Sequence, residues 1–325
     1  MTSATAASPA APPSYLGIDI SKAWLDVAAS PRGPVVRHPH DEASIAALVE
    51  TWTAQPPRLI VLEATGGLER ALAGAAAAAG LAVAVVNPRQ VREFARAIGQ
   101  HAKTDRVDAQ LLARFGERVQ PPVRALPDAA TEELAALVSR RRQLVEMRTA
   151  ELNRRASLGP RFATSLDEHL VWLRVRITEL DQALDQLLRT SPIWQADAAL
   201  LGSVRGVGPV LTATLLAEVP ELGSLTGKQA AALVGVAPFT RQSGRWRGQA
   251  RIGGGRAAVR AVLYMGAVAA IRYPGRFRTF YQRLLTAGKP KKVALVAVMR
   301  KLIVVLNAVR RDRIPFQEDH HVPTP

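Results

Sequence analysis

The chain has 325 residues, 48% of them hydrophobic, enough for two cores of ordinary domain size. It carries a formal net charge of +16 and no cysteine, which excludes disulfides and thiolate metal sites, and its six histidines show no ligand spacing. Arg300 and Lys301 interrupt the most apolar stretch, Val293 to Val309, so no run of about 20 uncharged apolar residues exists and membrane insertion is not expected.

The charge is unevenly placed. From Ala198 to Pro325 there are 20 Lys and Arg against 5 Asp and Glu, whereas Met1 to Asp197 holds 23 against 22. No acidic residue lies between Glu221 and Asp312. Such a region draws polyanions through electrostatics and counterion release, which makes nucleic acid the leading partner.

Taken in chain order, Thr2 to Pro13 is Ala, Ser, Thr and Pro without a basic residue, and is expected to be a disordered tail, not a signal peptide, in a cytoplasmic protein. Tyr15–Ile20, Trp24–Ala29 and Val35–His38 read as three strands of an antiparallel meander. Asp41 caps a helix to about Thr53, and Arg58–Leu62 is an apolar run suited to a buried strand, with Glu63 at its end. An Ala-rich helix follows Thr65-Gly66-Gly67, then a strand over Leu81–Val86, a helix opened by Pro88, and one capped by Thr104 and running to about Arg118. The order is βββαβαβα. Gln120–Asp128 is Pro-rich and reads as a linker, and Thr131–Ser157 and Thr164–Thr190 read as a helical hairpin or coiled coil turned at Gly159-Pro160. Helices punctuated by glycine are expected from Ala198 onward, ending in an amphipathic helix over Lys292–Arg311 and a polar tail. The expected domains are 14–120, a linker and hairpin over 121–195, and a basic domain over 196–315, between tails 1–13 and 316–325.

A carboxylate inside an apolar strand is costly unless compensated, and Asp19 lies in Leu16-Gly17-Ile18-Asp19-Ile20. Glu63 repeats this on a second strand, and Asp105 and Asp108 share one face of a helix. If the four converge, their repulsion calls for divalent cations held by oxygen, which suits a pair of Mg²⁺ ions, with Mn²⁺ as the substitute. Taken singly, Asp105 and Asp108 also suit helix-start acids and Asp19 a turn. In the basic region, Ser203-Val204-Arg205-Gly206-Val207-Gly208-Pro209 is similar to a helix-hairpin-helix, whose glycines let amides approach a phosphate; a plain turn between helices has the same pattern. Thr240–Arg251 reads as a loop built for phosphates, with Arg241, Arg245, Arg247 and Arg251 around Ser243. Ser243 is the candidate nucleophile; alternatively it is one small polar residue in a binding loop. Tyr264 reads as core, Tyr273 and Tyr281 as phosphate contacts, and Lys289–Lys292 and Arg310–Arg313 as solvated or phosphate-facing charge.

The segments Gly17-Ile18-Asp19-Ile20-Ser21-Lys22, Leu62-Glu63-Ala64-Thr65-Gly66 and Lys103-Thr104-Asp105-Arg106-Val107-Asp108-Ala109 resemble the DEDD insertion-sequence transposases of the IS-one-ten family, relatives of the Piv DNA invertase. The Gly-Val-Ala-Pro, Ser-Gly and Arg-Gly succession around Ser243 is similar to the C-terminal domain of the same family. The resemblance covers about residues 15–315. It implies an α/β ribonuclease-H-like (RuvC-like) N-terminal domain, a helical hairpin or coiled coil and a mainly helical C-terminal domain. It further implies a catalytic set of Asp19, Glu63, Asp105 and Asp108 on Mg²⁺ with Ser243 attaching covalently to DNA, Arg205 and the four loop arginines on nucleic acid, a bridge RNA choosing donor and target DNA, and a dimer or tetramer. Two other readings stand beside it: a RuvC-like junction nuclease using activated water, and a non-catalytic nucleic-acid-binding protein.

Overall fold

The computed structural model describes residues 15–30, 33–100, 104–123, 128–240, 242–243, 246–248 and 250–318, without the side chains of Arg106, Gln242, Trp246 and Arg247. The chain divides into two compact units, Met1–Leu126 and Pro127–Pro325. The expected N-terminal tail and the last residues, 319–325, lie outside the described residues.

In the first unit, β1 (Tyr15–Ile20) and β2 (Trp24–Ala29) pair antiparallel, and the Ser21 hydroxyl closes their turn by donating to the Trp24 carbonyl at 3.1 Å. β3 (Val36–Pro39) adds antiparallel to β2. Asp41 caps α1 (Glu42–Ala54) by accepting from the Ser44 amide, after which β4 (Leu59–Glu63) joins β1 in parallel. α2 (Arg70–Ala78) leads to β5 (Val83–Val86), parallel to β4. α3 (Pro88–Ala97), capped by Asn87, and α4 (Asp105–Val119), capped by Thr104, complete the unit. The sheet order is β3-β2-β1-β4-β5.

Alternation divides the sheet into two faces. Leu16, Ile18, Ile20, Ile60 and Leu62 pack with Ile45, Leu48, Trp52 and Leu72 of α1 and α2. On the other face, Tyr15, Val61, Ala84 and Val86 pack with Val91, Leu112 and Phe115 of α3 and α4. Two glycines let α4 lie directly on that second face. A Cβ on Gly17 of β1 would stand 2.1 Å from the Ala113 amide nitrogen and 2.3 Å from the Ala109 carbonyl, and one on Gly116 would stand 2.7 Å from Val61 Cγ2. Gly116 thus sits near Tyr15, at the start of β1, and Ala109 to Ala113 over Gly17. α4 therefore runs antiparallel to β1, with its first turn toward the end where Asp19 stands.

The second unit begins with α5 (Ala129–Ser157) and α6 (Ala163–Thr190), joined through a single turn of 3-10 helix, Pro160–Phe162. Leu144, Leu173 and Ile177 form a small core along this hairpin, while Leu134, Val138, Leu184 and Leu188 belong to the main core below it. α7 (Gln195–Gly202), α8 (Pro209–Glu218), α9 (Gly227–Val234), α10 (Ala257–Ala270), α11 (Arg276–Thr286) and α12 (Lys291–Asp312) surround that core. α12 is a central element whose Val298, Leu302, Ile303 and Leu306 are all buried.

Several expectations for this unit need correction. Thr240–Arg251 is not simply a loop: β6 (Pro238–Phe239) pairs with β9 (Arg251–Ile252), and inside it β7 (Gln242–Ser243) pairs with β8 (Trp246–Arg247). Strands of two residues leave no apolar alternation to read. Arg310 is not solvated charge. It donates to the carboxylate of Asp197 at 3.0 Å and to the carbonyls of Pro220 and Leu222, and Arg313 pairs with Asp197 as well. Tyr281 is half-buried against the core, unlike the exposed Tyr273. The expected polar tail from residue 316 starts with packed residues, since Phe316 stacks on Phe277 and its amide donates to the Ser203 hydroxyl.

Candidate functional site

The register of the sheet places the acids. In β1 and β4 the pairing of Ile18 with Leu62 puts the next residues, Asp19 and Glu63, side by side at the carboxyl ends of neighbouring parallel strands. Gly17 and Val61 face α4, so by alternation Asp19 and Glu63 do too. Asp105 and Asp108 stand on the first turn of α4, held there by the Thr104 hydroxyl, which accepts from the Val107 amide at 3.3 Å. The ends of two strands and one helix thus present four carboxylates toward the same edge of the same face.

Electrostatics reports their proximity. The Asp19 carboxyl is pushed up to about 6, first by its burial and then by the charges of Asp108, Asp105, Glu63 and Asp26. Among the described residues, no three Asp, Glu or His side chains close into a ready-made cage for an ion. Asp105 has a partner of its own, its Oδ2 accepting from Arg37 Nη2 at 3.1 Å. The donor set, carboxylate oxygens whose charges converge on Asp19, nevertheless suits a hard divalent cation.

Three residues near this site were missed in the sequence. Asp26 on β2 is directly opposite Asp19, buried to 2% exposure, and grips Arg37 on β3 through two bonds of 2.9 and 2.7 Å. Asp26 interrupts the apolar Trp24-Leu25-Asp26-Val27 as Asp19 interrupts its own strand, so the same signal was present. Glu69, also buried, accepts from the amides of Thr65 and Gly67 at 3.0 Å each and so fixes the turn after Glu63. That pairing joins side chain to backbone and has no periodic signature.

In the second unit, Ser243 is exposed on β7, paired across the ribbon with Trp246. Arg251 is exposed on β9, and Arg247 lies on β8, its side chain outside the described residues, as are Arg241 and Arg245 entirely. Arg205 is half-exposed, its Nε 3.9 Å from Glu318. The resemblance to a phosphate-approaching turn is altered at Gly206. Its φ is +89°, and a Cβ there would stand 2.6 Å from both the Gly266 carbonyl and the Ala270 amide, so this glycine admits α10. Gly208, before α8, does face open space.

Comparisons with known proteins identify the family. A DEDD transposase model of the IS110 type matches residues 16–158, and a model described as the transposase IS116/IS110/IS902 family matches 198–282. The pilin gene-inverting proteins of Moraxella lacunata and Moraxella bovis are each 33% identical over 271 residues, covering 81% of this chain and 83% of their own. The uncharacterized 44.8 kDa protein of insertion element IS116 from Streptomyces clavuligerus is 32% identical over 153 residues, covering 46% of this chain and 37% of its own. With two family models in the expected order and relatives aligned across most of both chains, this protein belongs to the IS110 family of transposases and is an enzyme of DNA recombination.

Proposed function

We propose that the chain cuts and rejoins DNA strands through a phosphoserine link, using a ribonuclease-H-like acidic site in the first unit and Ser243 in the second. The observation that carries the acidic half is the crowding of charge at Asp19 of β1, produced by Glu63 of β4 and by Asp105 and Asp108 of α4. A sheet with three antiparallel strands followed by two parallel ones supports the RuvC-like assignment. Ser243 is supported by its exposure and by its place in an arginine-rich ribbon within the second matched segment.

Asp19, Glu63, Asp105 and Asp108 would hold Mg²⁺, two ions by the family's pattern, with Mn²⁺ able to substitute. Bound there, the cations supply Lewis-acid stabilisation of charge on the phosphate and on the departing oxygen. The protein's own groups do the rest. Ser243 Oγ forms a bond to phosphorus while one phosphorus–oxygen bond to deoxyribose breaks, and the proton lost by the serine ends on the freed sugar hydroxyl. A second sugar hydroxyl reverses the step on the new strand and restores the serine, so bond energy is conserved without ATP. Arg205, Arg241, Arg245, Arg247 and Arg251 neutralise phosphates along the path. Double-stranded donor and target DNA are the substrates, a bridge RNA selects them, and the enzyme works as a dimer or tetramer in which acids and serine come from different subunits. These last points rest on family membership.

The test is a denaturing gel for protein covalently linked to cognate DNA, with wild type, Ser243→Ala and Asp105→Ala side by side. The adduct is expected in the wild type and absent from both variants. Undiminished cutting by Ser243→Ala would instead identify a nuclease that uses activated water.

A further inference from the structure

The Asp26–Arg37 pair has no part in the reaction proposed above, yet it lies within the acidic face. Asp26 is almost wholly buried and stands directly across the sheet from Asp19. Like charges so placed repel, and a buried carboxylate requires a partner. Arg37 is that partner, directly opposite Asp26 on β3, with Nε and Nη2 donating to separate oxygens at 2.9 and 2.7 Å. This fork-on-carboxylate geometry is the most directional that arginine makes. Trp24 adds an aromatic wall, its ring centroid 5.7 Å from the guanidinium carbon. The same Nη2 then reaches out of the sheet to Asp105 Oδ2 on α4. One guanidinium therefore occupies both oxygens of Asp26 and one oxygen of Asp105.

We propose that Arg37 is a positioning residue of the acidic site, a built-in counter-cation that keeps Asp26 from acting as a fifth ligand and tethers Asp105 beside Asp19 until a divalent cation takes that carboxylate over. The inference rests on the reading that the four acids bind such cations. It makes a counterintuitive demand. Removing Arg37 must strengthen cation binding, because a competing charge leaves and a carboxylate is released, and it must at the same time impair the reaction with DNA, because Asp105 loses its tether.

The experiment measures Mn²⁺ bound to the full-length protein, from the free-ion electron paramagnetic resonance signal, together with covalent DNA adduct. The variants are D19N, R37Q and the double variant D26N/R37Q. Wild type is expected to bind Mn²⁺ and D19N to lose it. R37Q should bind about tenfold more tightly, the order expected when one unit charge leaves a partly exposed site, while forming less adduct. D26N/R37Q removes both charges with little change of volume, so its affinity should return to within about threefold of wild type while adduct formation stays low. Affinity in R37Q equal to or weaker than wild type, or full adduct formation by D26N/R37Q, overturns the proposal. If R37Q does not fold, adduct formation by the double variant decides alone. Absence of Mn²⁺ binding by wild type would instead defeat the acidic-site reading, and this inference with it; binding by wild type with R37Q unchanged would spare the site and remove only the role of Arg37.

Discussion

Asp19 is opposed twice, by its half-burial beneath α4 and by the four carboxylates whose charges reach it. A carboxyl raised from 3.8 to about 6 favours the folded chain only while protonated. Between those values the folded chain holds a proton that the unfolded chain has released, so stability falls as pH rises through that window, and the penalty is complete above it. Without divalent cations, Asp19→Asn is therefore expected to stabilise the protein at pH 7 by about 1–2 kcal/mol, a figure reduced for solvent screening. The gain should vanish near pH 4. Urea unfolding at the two pH values checks this, and a destabilised variant at pH 7 would show that the acids do not crowd Asp19. The neighbouring Asp26 carboxylate is paired with Arg37 through both oxygens.

Between elements, the decisive contact is α4 against β1. Backbone meets backbone at Gly17, with no flexible side chain to yield, so a methyl group there must push the whole helix away. Gly17→Ala is expected to cost about 3 kcal/mol or more in urea unfolding and to abolish DNA cutting, since the turn bearing Asp105 and Asp108 moves with the helix. Gly74→Ala, in α2 with nothing near the added methyl, serves as the control. It should be neutral or stabilising by up to about 1 kcal/mol, as alanine is the better helix former. The ribbon carrying Ser243 contrasts with this rigid contact. Its strands are two residues each, held by pairing at Gln242–Arg247 and Pro238–Ile252, so its geometry is set by pairing rather than by a core of its own.

For the molecule as a whole, the charge asymmetry assigns labour: the nearly neutral first half carries the acids, and the stretch from Ala198 carries 20 Lys and Arg. Binding of DNA should follow counterion release, with log affinity falling against log salt at a slope of about −5 or steeper, the value for roughly six neutralised phosphates. A fragment of residues 127–325, which contains the continuous core from α5 to α12, is expected to melt cooperatively by circular dichroism and to keep that slope. A shallow slope in the fragment would place the main phosphate contacts elsewhere. Features written in local periodicity were readable in advance. The edges of β1 and β2, the caps at Asp41 and Thr104 and the two long helices all follow from neighbours within a few residues, because caps and amphipathic patterns are short-range effects. Other features join segments far apart in the chain. Arg37 meets Asp105, Gly17 receives Ala109 and Ala113, and Arg310 binds the carbonyls of Pro220 and Leu222 and the carboxylate of Asp197. No pattern in a linear window encodes such meetings, because strand register and the close approach of helix to sheet decide which buried charge finds which partner.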